Sequence, residues 1–477
     1  MKMVDKVILD QIDNYIRENK EDIVKDLLEL IRIPSVQSDA ENDAPYGKAC
    51  KRVLEETKKL YERHGFKSQI SSDNKYVLAS WGKGDKTVGL FAHGDVVPVG
   101  NDWLVCEPFE PIIKDGYIFG RGCHDDKSGI VESLYASKII RDLKLPFESR
   151  LLMMTGSNEE TGMDDLLSFK NNEIMPDFCL VLDAEYPYYG GEKSTMKLDL
   201  ISKNQFKTIK RIYGGESYTI VLGEVTAEIE FSEELFEELK ENCKENSEVV
   251  FEKRDQLIIV TAKGKSGHVA HIENTHNAMV TLSKVLIKCN SIPENEREMI
   301  RQIGQFIGDC YGAGFGIENS DEIFGKLTCG NGLIRTKDGK LVLGLDIRCG
   351  INTSINKIHE QIVEAAQENW DIDLKRAADG YYVDGNLQLP KAVSSAYAYV
   401  TGNKDKQPII SAGGTYSRLL NNSCSIGTVV DLPYEYIDLP NGHGEWHQPD
   451  EKLSIEGLLT SLKILVCILL ELDLDNG

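Results

Sequence analysis

Three short apolar runs, Lys86–Ala92, Arg150–Thr155 and Phe178–Leu182, constrain this chain more than any other feature. Each is too short for a buried helix, and stretches with helical spacing lie around them. Asp10–Arg32 places Ile12, Ile16, Ile23, Leu27, Leu28 and Ile31 on one helical face and stops before Pro34. Ser128–Leu143 resumes that periodicity, and a further helical stretch separates the last two runs. Strands alternating with helices pack as α/β layers around a largely parallel sheet.

After about Thr195 the character changes. Tyr218–Phe231 alternates apolar and polar residues, as a half-exposed strand does, and an acidic helix follows at Ser232–Asn242. Strands are expected at Glu248–Phe251 and Gln256–Ala262. Gly332–Arg348 reads as a hairpin turning at Asp338-Gly339, and Ile355–Asn369 as a helix. From about Gln388 the pattern returns to helices with one apolar strand, Ser425–Val430. We therefore expect a split α/β domain, residues 1–195 and 385–477, interrupted by an inserted α+β domain at 196–384.

Charge and cysteine content bound the partners. A formal net charge of −23 argues against a phosphate backbone or an anionic membrane, because neither is held without clustered Lys and Arg. The eleven cysteines form no C-x-x-C pair, so neither a disulfide framework nor a thiol zinc knuckle is expected. Met1–Asp13 has no apolar core of a signal peptide. The most apolar run, Leu458–Leu472, is interrupted by Ser461 and Lys463 and reads as a buried C-terminal helix. A cytoplasmic protein is the expectation.

Residues with chemistry follow the apolar runs. His93-Gly94-Asp95 comes directly after the first, and Asp95 is placed to orient the imidazole for metal binding. Gly156-Ser157-Asn158-Glu159-Glu160 follows the second, where two adjacent carboxylates would repel unless a cation intervened. Asp183 ends the third. Asp125-Asp126 lies at the entry to the Ser128 helix, within Gly120–Lys127, and His447 lies far away in Gly444–Glu451. Each element alone has an ordinary reading: a loop histidine, helix capping, or a solvated acidic loop. Three of them together at the carboxyl ends of buried strands stand where open α/β sheets place ligands. Imidazole with carboxylates is ligation that zinc accepts.

In this order the five segments resemble the cocatalytic zinc peptidases that include carboxypeptidase G, aminoacylase, succinyl-diaminopimelate desuccinylase and the PepV-type dipeptidases. The match covers nearly the whole chain. It is most similar to the PepV type, through Leu182–Pro187, Gly413–Arg418 and overall length. The resemblance implies two zinc ions, with manganese or cobalt as alternatives. His93 and Asp183 would hold one, Glu160 and His447 the other, and Asp125 would bridge them. It further implies Glu159 as general base, Asp95 as the partner of His93, and His268 as an oxyanion donor. Arg348 and the Gly413–Tyr416 loop, Gly414 and Thr415 in particular, would hold the substrate's carboxylate. Thr219 and Leu222 stand where relatives often have Asn and Pro, and Ser128 where they have Gly.

The implied reaction is attack of a metal-activated water on the amide of a small peptide, with Glu159 moving the proton. With His268 and Arg348 on the inserted domain, closure about hinges near 195 and 385 is implied. A monomer acting on dipeptides is expected. N-acyl amino acid deacylation and exo-carboxypeptidase cleavage remain alternatives on the same fold, and a non-catalytic metal-binding scaffold is the competitor from another class. His124, His271, His276 and His443 read as loop or supporting residues, His64 and His359 as solvated helix positions, and Arg121 as backbone support.

Overall fold

Thr87–His93 is buried along almost its whole length, and a strand buried on both faces belongs inside a parallel sheet. It lies third from one end of a six-stranded sheet, in the order Ser423–Gly427, Phe178–Ala184, Thr87–His93, Arg150–Gly156, Tyr76–Trp81, Lys67–Ile70. The first four run parallel, Tyr76–Trp81 runs antiparallel to them, and Lys67–Ile70 pairs antiparallel with Tyr76–Trp81. The computed structural model describes residues 5–215, 217–244, 247–430 and 438–474. Met1–Val4 of the N-terminal stretch, Glu216 and the last three residues therefore lie outside the described residues.

Two compact units divide the chain. The first comprises Met1–Gly190, Val383–Ile409 and Gly414–Gly477; the second comprises Gly191–Tyr382 and Ile410–Gly413. In the first, the helix Lys6–Ile31 starts at Asp5, whose side chain accepts from Ile8 N at 2.9 Å, and buries Ile12, Ile16, Ile23 and Leu27. The apolar C-terminal run is a helix, Ile455–Leu474, packed on the helices Lys127–Asp142 and Gln388–Thr401. Among the described residues no helix is long and apolar enough to cross a membrane.

The second unit is an eight-stranded sheet whose pairings are all antiparallel, in the order Val249–Arg254, Leu257–Lys263, Glu224–Glu230, Ile209–Gly214, Thr328–Lys337, Lys340–Cys349, Ser194–Ser202, Trp370–Ala378. Alternate residues such as Met196, Leu198, Leu343, Leu345 and Ile347 share one core with the helices Ala278–Leu286, Glu294–Phe306 and Ile355–Ala366. The hairpin turns at Asp338 and Gly339, with φ of 52° and 75°. Both central residues are left-handed, which is why Asp-Gly suits the turn.

Several bounds differ from those the sequence suggests. The strand expected at Tyr218–Phe231 begins only at Glu224, because Val221 N and Leu222 N bond to Gly267 O and Asn331 O and bend the chain first. Ser232 is the N-cap of Glu233–Asn242 rather than its first turn, accepting from Leu235 N at 3.1 Å. Ile410–Gly413, assigned by sequence to the outer domain, belongs to the second unit, where Lys193 N bonds to Ser411 O and Arg348 Nη1 to Ala412 O. His64 is tucked in, its Nε2 2.7 Å from Asp26 Oδ2, and is not a solvated position.

One buried acid in the first unit stands apart from the strand ends. Glu132 accepts from Ser461 Oγ, which also meets the Tyr186 hydroxyl at 2.8 Å, while Glu132 Oε2 has no hydrogen-bond partner among the described residues. Burial pushes its pKa up to about 8, against the lowering effect of Ser461. The folded state thus holds a proton there that the unfolded chain releases near pH 4.5, and stability falls as pH rises from about 4.5 to about 8. Glu132→Gln removes this dependence. Thermal unfolding of both proteins at pH 5.5 and 8.5 should show the variant gaining on the wild type by more than ~1 kcal/mol at the higher pH. Parallel shifts at both pH values would show that Glu132 is not the group responsible.

Candidate active site

Parallel strands present their carboxyl ends along one edge of the first unit's sheet. His93 is the last residue of its strand, Gly156 ends the next and leads into Ser157–Glu160, and Asp183 lies one residue from the end of the third. Asp125 immediately precedes Asp126, the N-cap of the helix Lys127–Asp142. The side chains converge. His93 Nε2 lies 3.1 Å from Asp125 Oδ1 and 3.8 Å from Asp183 Oδ2. His447 Nε2 lies 3.0 Å from Asp125 Oδ2 and 3.3 Å from Glu160 Oε2. Asp125 thus stands between two imidazoles, one carboxylate oxygen towards each.

Backbone amides hold this arrangement in place. Asp126 accepts from His93 N at 3.1 Å and Gly129 N at 3.2 Å, so one carboxylate fixes both a strand end and a helix start. His93 Nδ1 lies 3.0 Å from the main-chain oxygen of Asp95, while the Asp95 carboxylate is 3.5 Å away. That carboxylate accepts from Glu159 N and Glu160 N, both at 3.2 Å. Asp95 was expected only to orient His93; it also anchors the loop that carries the two glutamates. Asp165 accepts from Ser157 N and Asn158 N at 2.7 Å and from the Tyr416 hydroxyl at 2.5 Å. A Cβ on Gly156 would stand 2.0 Å from that hydroxyl and 2.2 Å from Asp165 Oδ2, so only glycine lets them meet.

Glu451, four residues beyond His447, clamps the opposite side. It is fully buried, and its Oε2 accepts from Arg121 Nη1 at 2.7 Å and Gly122 N at 3.0 Å. Its Oε1 accepts from His124 N at 2.9 Å and Asp125 N at 3.1 Å. Neighbouring Asp450 accepts from Leu104 N and Val105 N and lies 2.7 Å from His443 Nδ1. Sequence reasoning read Arg121 as backbone support but passed over Asp450, Glu451, Asp165 and the Tyr416 hydroxyl. The acids beside His447 were a signal for two of these; nothing in sequence marks Asp165.

The charge balance favours a cation. Burial, then the neighbouring carboxylates, raises the pKa of Glu159, Glu160 and Asp183. Burial lowers that of His93, but Asp125, Asp95 and Asp183 outweigh it and hold the imidazole well above its usual value. Asp125 is held well below its usual value by both imidazoles, against its burial. His93 Nε2, Glu159 Oε1 and Glu160 Oε1 are buried with no hydrogen-bond partner among the described residues. Orphaned donors of this kind, crowded with like charge, fit a metal. Two sets of donor atoms lie within 4.8 Å of one another: His93, Asp125 and Glu160, and His93, Asp126 and Asp183. Asp126 was not foreseen there; its two bonds to backbone amides already occupy it.

The remaining candidates fall elsewhere. Thr415 lies in the first unit, buried, its hydroxyl 2.6 Å from Ser425 Oγ and accepting from Ser417 N, with Gly414 beside it under the Arg418 guanidinium. His268 and Arg348 belong to the second unit. Ala270 N donates to His268 Nδ1 at 3.1 Å, so the neutral ring carries its proton on Nε2. Arg348 forks onto Asp346, Nε to Oδ1 at 2.9 Å and Nη2 to Oδ2 at 3.3 Å, and its Nη1 meets Ala412 O at 2.6 Å. That employs three of its five N–H groups.

The family model described as Peptidase family M20/M25/M40 matches residues 89–471. A Bacillus subtilis (strain 168) protein named "Putative dipeptidase YtjP" is 28% identical over 467 residues, covering 95% of this chain and 97% of the relative. Human carnosine dipeptidase 1 superposes with a TM-score of 0.59 at 13% identity, covering 98% of this chain and 100% of that one. The Bacillus subtilis protein YXEP, described as a dinuclear metal binding peptidase, gives 0.50 at 10% identity, covering 95% and 98%. At these identities the two solved structures speak for the fold.

Glu451 yields a test. In Glu451→Gln the loop before Asp125 loses the charge that gathers three amides and a guanidinium. Metal affinity, measured by competition with a chromophoric chelator, is expected to fall ~10–100-fold. Unchanged affinity in a folded variant would show that the loop positions Asp125 without Glu451.

Proposed function

We propose, from the premise that this chain belongs to peptidase family M20/M25/M40, that it is a dipeptidase whose metal pair is zinc. The observation that carries the reading is Glu159, a buried carboxylate with an unpartnered oxygen and a raised pKa beside a convergent set of metal donors. A purely structural metal site has no need of such an acid.

In this reading His93 and Asp183 would hold one ion and Glu160 and His447 the other, with Asp125, an oxygen towards each imidazole, available to both. When bound, the pair supplies Lewis acidity and brings a water's pKa towards neutrality. Glu159 accepts the proton of the attacking water and returns it to the leaving amine, a role its raised pKa suits. Asp95 keeps Glu159 and Glu160 in place through their backbone amides. His268, with its proton on Nε2, donates to the developing oxyanion.

Arg348, fixed from behind by Asp346, grips the terminal carboxylate with its remaining N–H groups, assisted by backbone donors at Gly414 and Thr415. A grip on the terminal carboxylate suits a short peptide with a free carboxyl end. We read the enzyme as a monomer. We also read it as cytoplasmic, on eleven cysteines none of which is bridged.

Metal analysis of the purified protein with a dipeptide panel, each dipeptide also N-acetylated, tests the proposal. Zinc content near two per chain is expected, with free dipeptides cleaved, their acetylated forms spared, and activity lost to chelator and restored by zinc. Glu159→Gln should keep its metal and lose ~100-fold or more in kcat. Wild-type turnover by that variant would remove Glu159 as the base; faster cleavage of acetylated forms would make the enzyme a deacylase.

A further inference from the structure

In the second unit, the sheet face opposite the apolar core sets two cations, Lys197 and Arg376, side by side. Asp346 stands opposite Lys197, Lys197 opposite Arg376, and Arg348 opposite Thr195. Opposed residues share a face, and diagonal neighbours on adjacent strands lie about 7–8 Å apart. Lys197 therefore stands between Asp346 and Arg376, with Arg348 on the diagonal. Both oxygens of the Asp346 carboxylate face Arg348. The next acid along, Asp199, accepts from the Tyr218 hydroxyl at 2.7 Å and lies 3.4 Å from Lys375, which also meets Asp373 at 2.5 Å.

Neither Lys197 nor Arg376 has a carboxylate oxygen within 4.0 Å among the described residues. Burial lowers the Lys197 pKa, Arg348 and Arg376 act in the same sense, and only Asp346 opposes them. A half-buried ammonium beside two guanidinium groups is costly. In a chain with 77 acids and 54 bases, an acid could easily have stood there.

We propose that Lys197, backed by Arg376, is a subsite for a second carboxylate on the residue whose terminal carboxylate Arg348 holds, so that the enzyme favours dipeptides ending in Asp or Glu. This rests on the reading of Arg348 given above. Lys197 and Arg376, with no carboxylate oxygen within 4.0 Å among the described residues, can take one anion beyond the carboxylate that Arg348 holds, and a dicarboxylate residue brings both. Such a residue carries its anions a few bonds apart, as suits cations set diagonally on neighbouring strands. Neutral residues at the same place would leave Lys197 unmatched.

The test compares kcat/KM for Ala-Glu, Ala-Gln and Ala-Leu in the wild type, Lys197→Met and Lys197→Arg. The wild type should prefer Ala-Glu to Ala-Gln by about tenfold or more, the size of one charge-assisted hydrogen bond. Lys197→Met should lose that preference through KM, with Ala-Gln and Ala-Leu within about twofold of wild type, and Lys197→Arg should keep most of it. Calorimetry on Glu159→Gln should show the same preference in binding. Equal wild-type rates on Ala-Glu and Ala-Gln, or a Lys197→Met variant slowed alike on all three, would overturn the subsite and leave the dipeptidase reading standing. Failure of the wild type to cleave any of the three would overturn that reading, and the subsite with it.

Discussion

Repulsion among carboxylates gathered at one sheet edge is the constraint on which the rest of the first unit depends. Asp125, Asp126, Glu159, Glu160 and Asp183 all lie around His93, and burial denies them the water that would screen them. Left to itself such a cluster would splay apart. Two means oppose this: the charge a metal brings, and hydrogen bonds from backbone amides that pin the segments on which the acids stand.

Such hydrogen bonds tie together parts of the chain far apart in sequence. Asp95 reaches Glu159 and Glu160, Asp165 reaches both Ser157 and Tyr416, and Glu451 reaches back to Gly122, His124 and Asp125. The last brings the C-terminal stretch carrying His447 against the loop carrying Asp125. Each imidazole therefore meets Asp125 from a different part of the fold, and the geometry around that residue is set only when the whole first unit has formed. Contacts of such long sequence separation cost loop-closure entropy before they are rewarded. The large apolar helix Ile455–Leu474, buried against its neighbours, supplies part of the compensation by docking the end of the chain.

How much of this could be read from the residues depends on the range of the interaction. The apolar runs ending at Ala92, Thr155 and Leu182 are local signals, and the parallel strands follow them closely because burial on both faces leaves no other pattern. The Asp338-Gly339 turn was equally legible, since both residues must be left-handed. Metal-donor candidates were legible because chemistry at a strand end has few structural excuses. The supporting acids were not: Asp165 in a helix start looks like capping, and only the fold shows that its Oδ2 serves Ser157, Asn158 and Tyr416. The bend before Glu224 escaped for the same reason, as the bonds that make it come from Gly267 and Asn331.

The excess of acid also takes on a different meaning in the folded molecule. Solubility is the simplest account of a net charge of −23, yet many carboxylates here face inwards and gather backbone amides. Glu296 accepts from Lys207, Thr208 and Ile209 N, Asp473 from Glu148 and Ser149 N, and Glu238 from Asn290 and Ser291 N. A carboxylate that collects two or three amides keeps its charge at little cost, because the donors replace the water it gave up. Acids are thus used in both units as fasteners for loops that lack a partner strand. Against that background Lys197 and Arg376 are the exception, cations with no carboxylate oxygen within 4.0 Å among the described residues, and a ligand with negative charge is the partner their chemistry calls for.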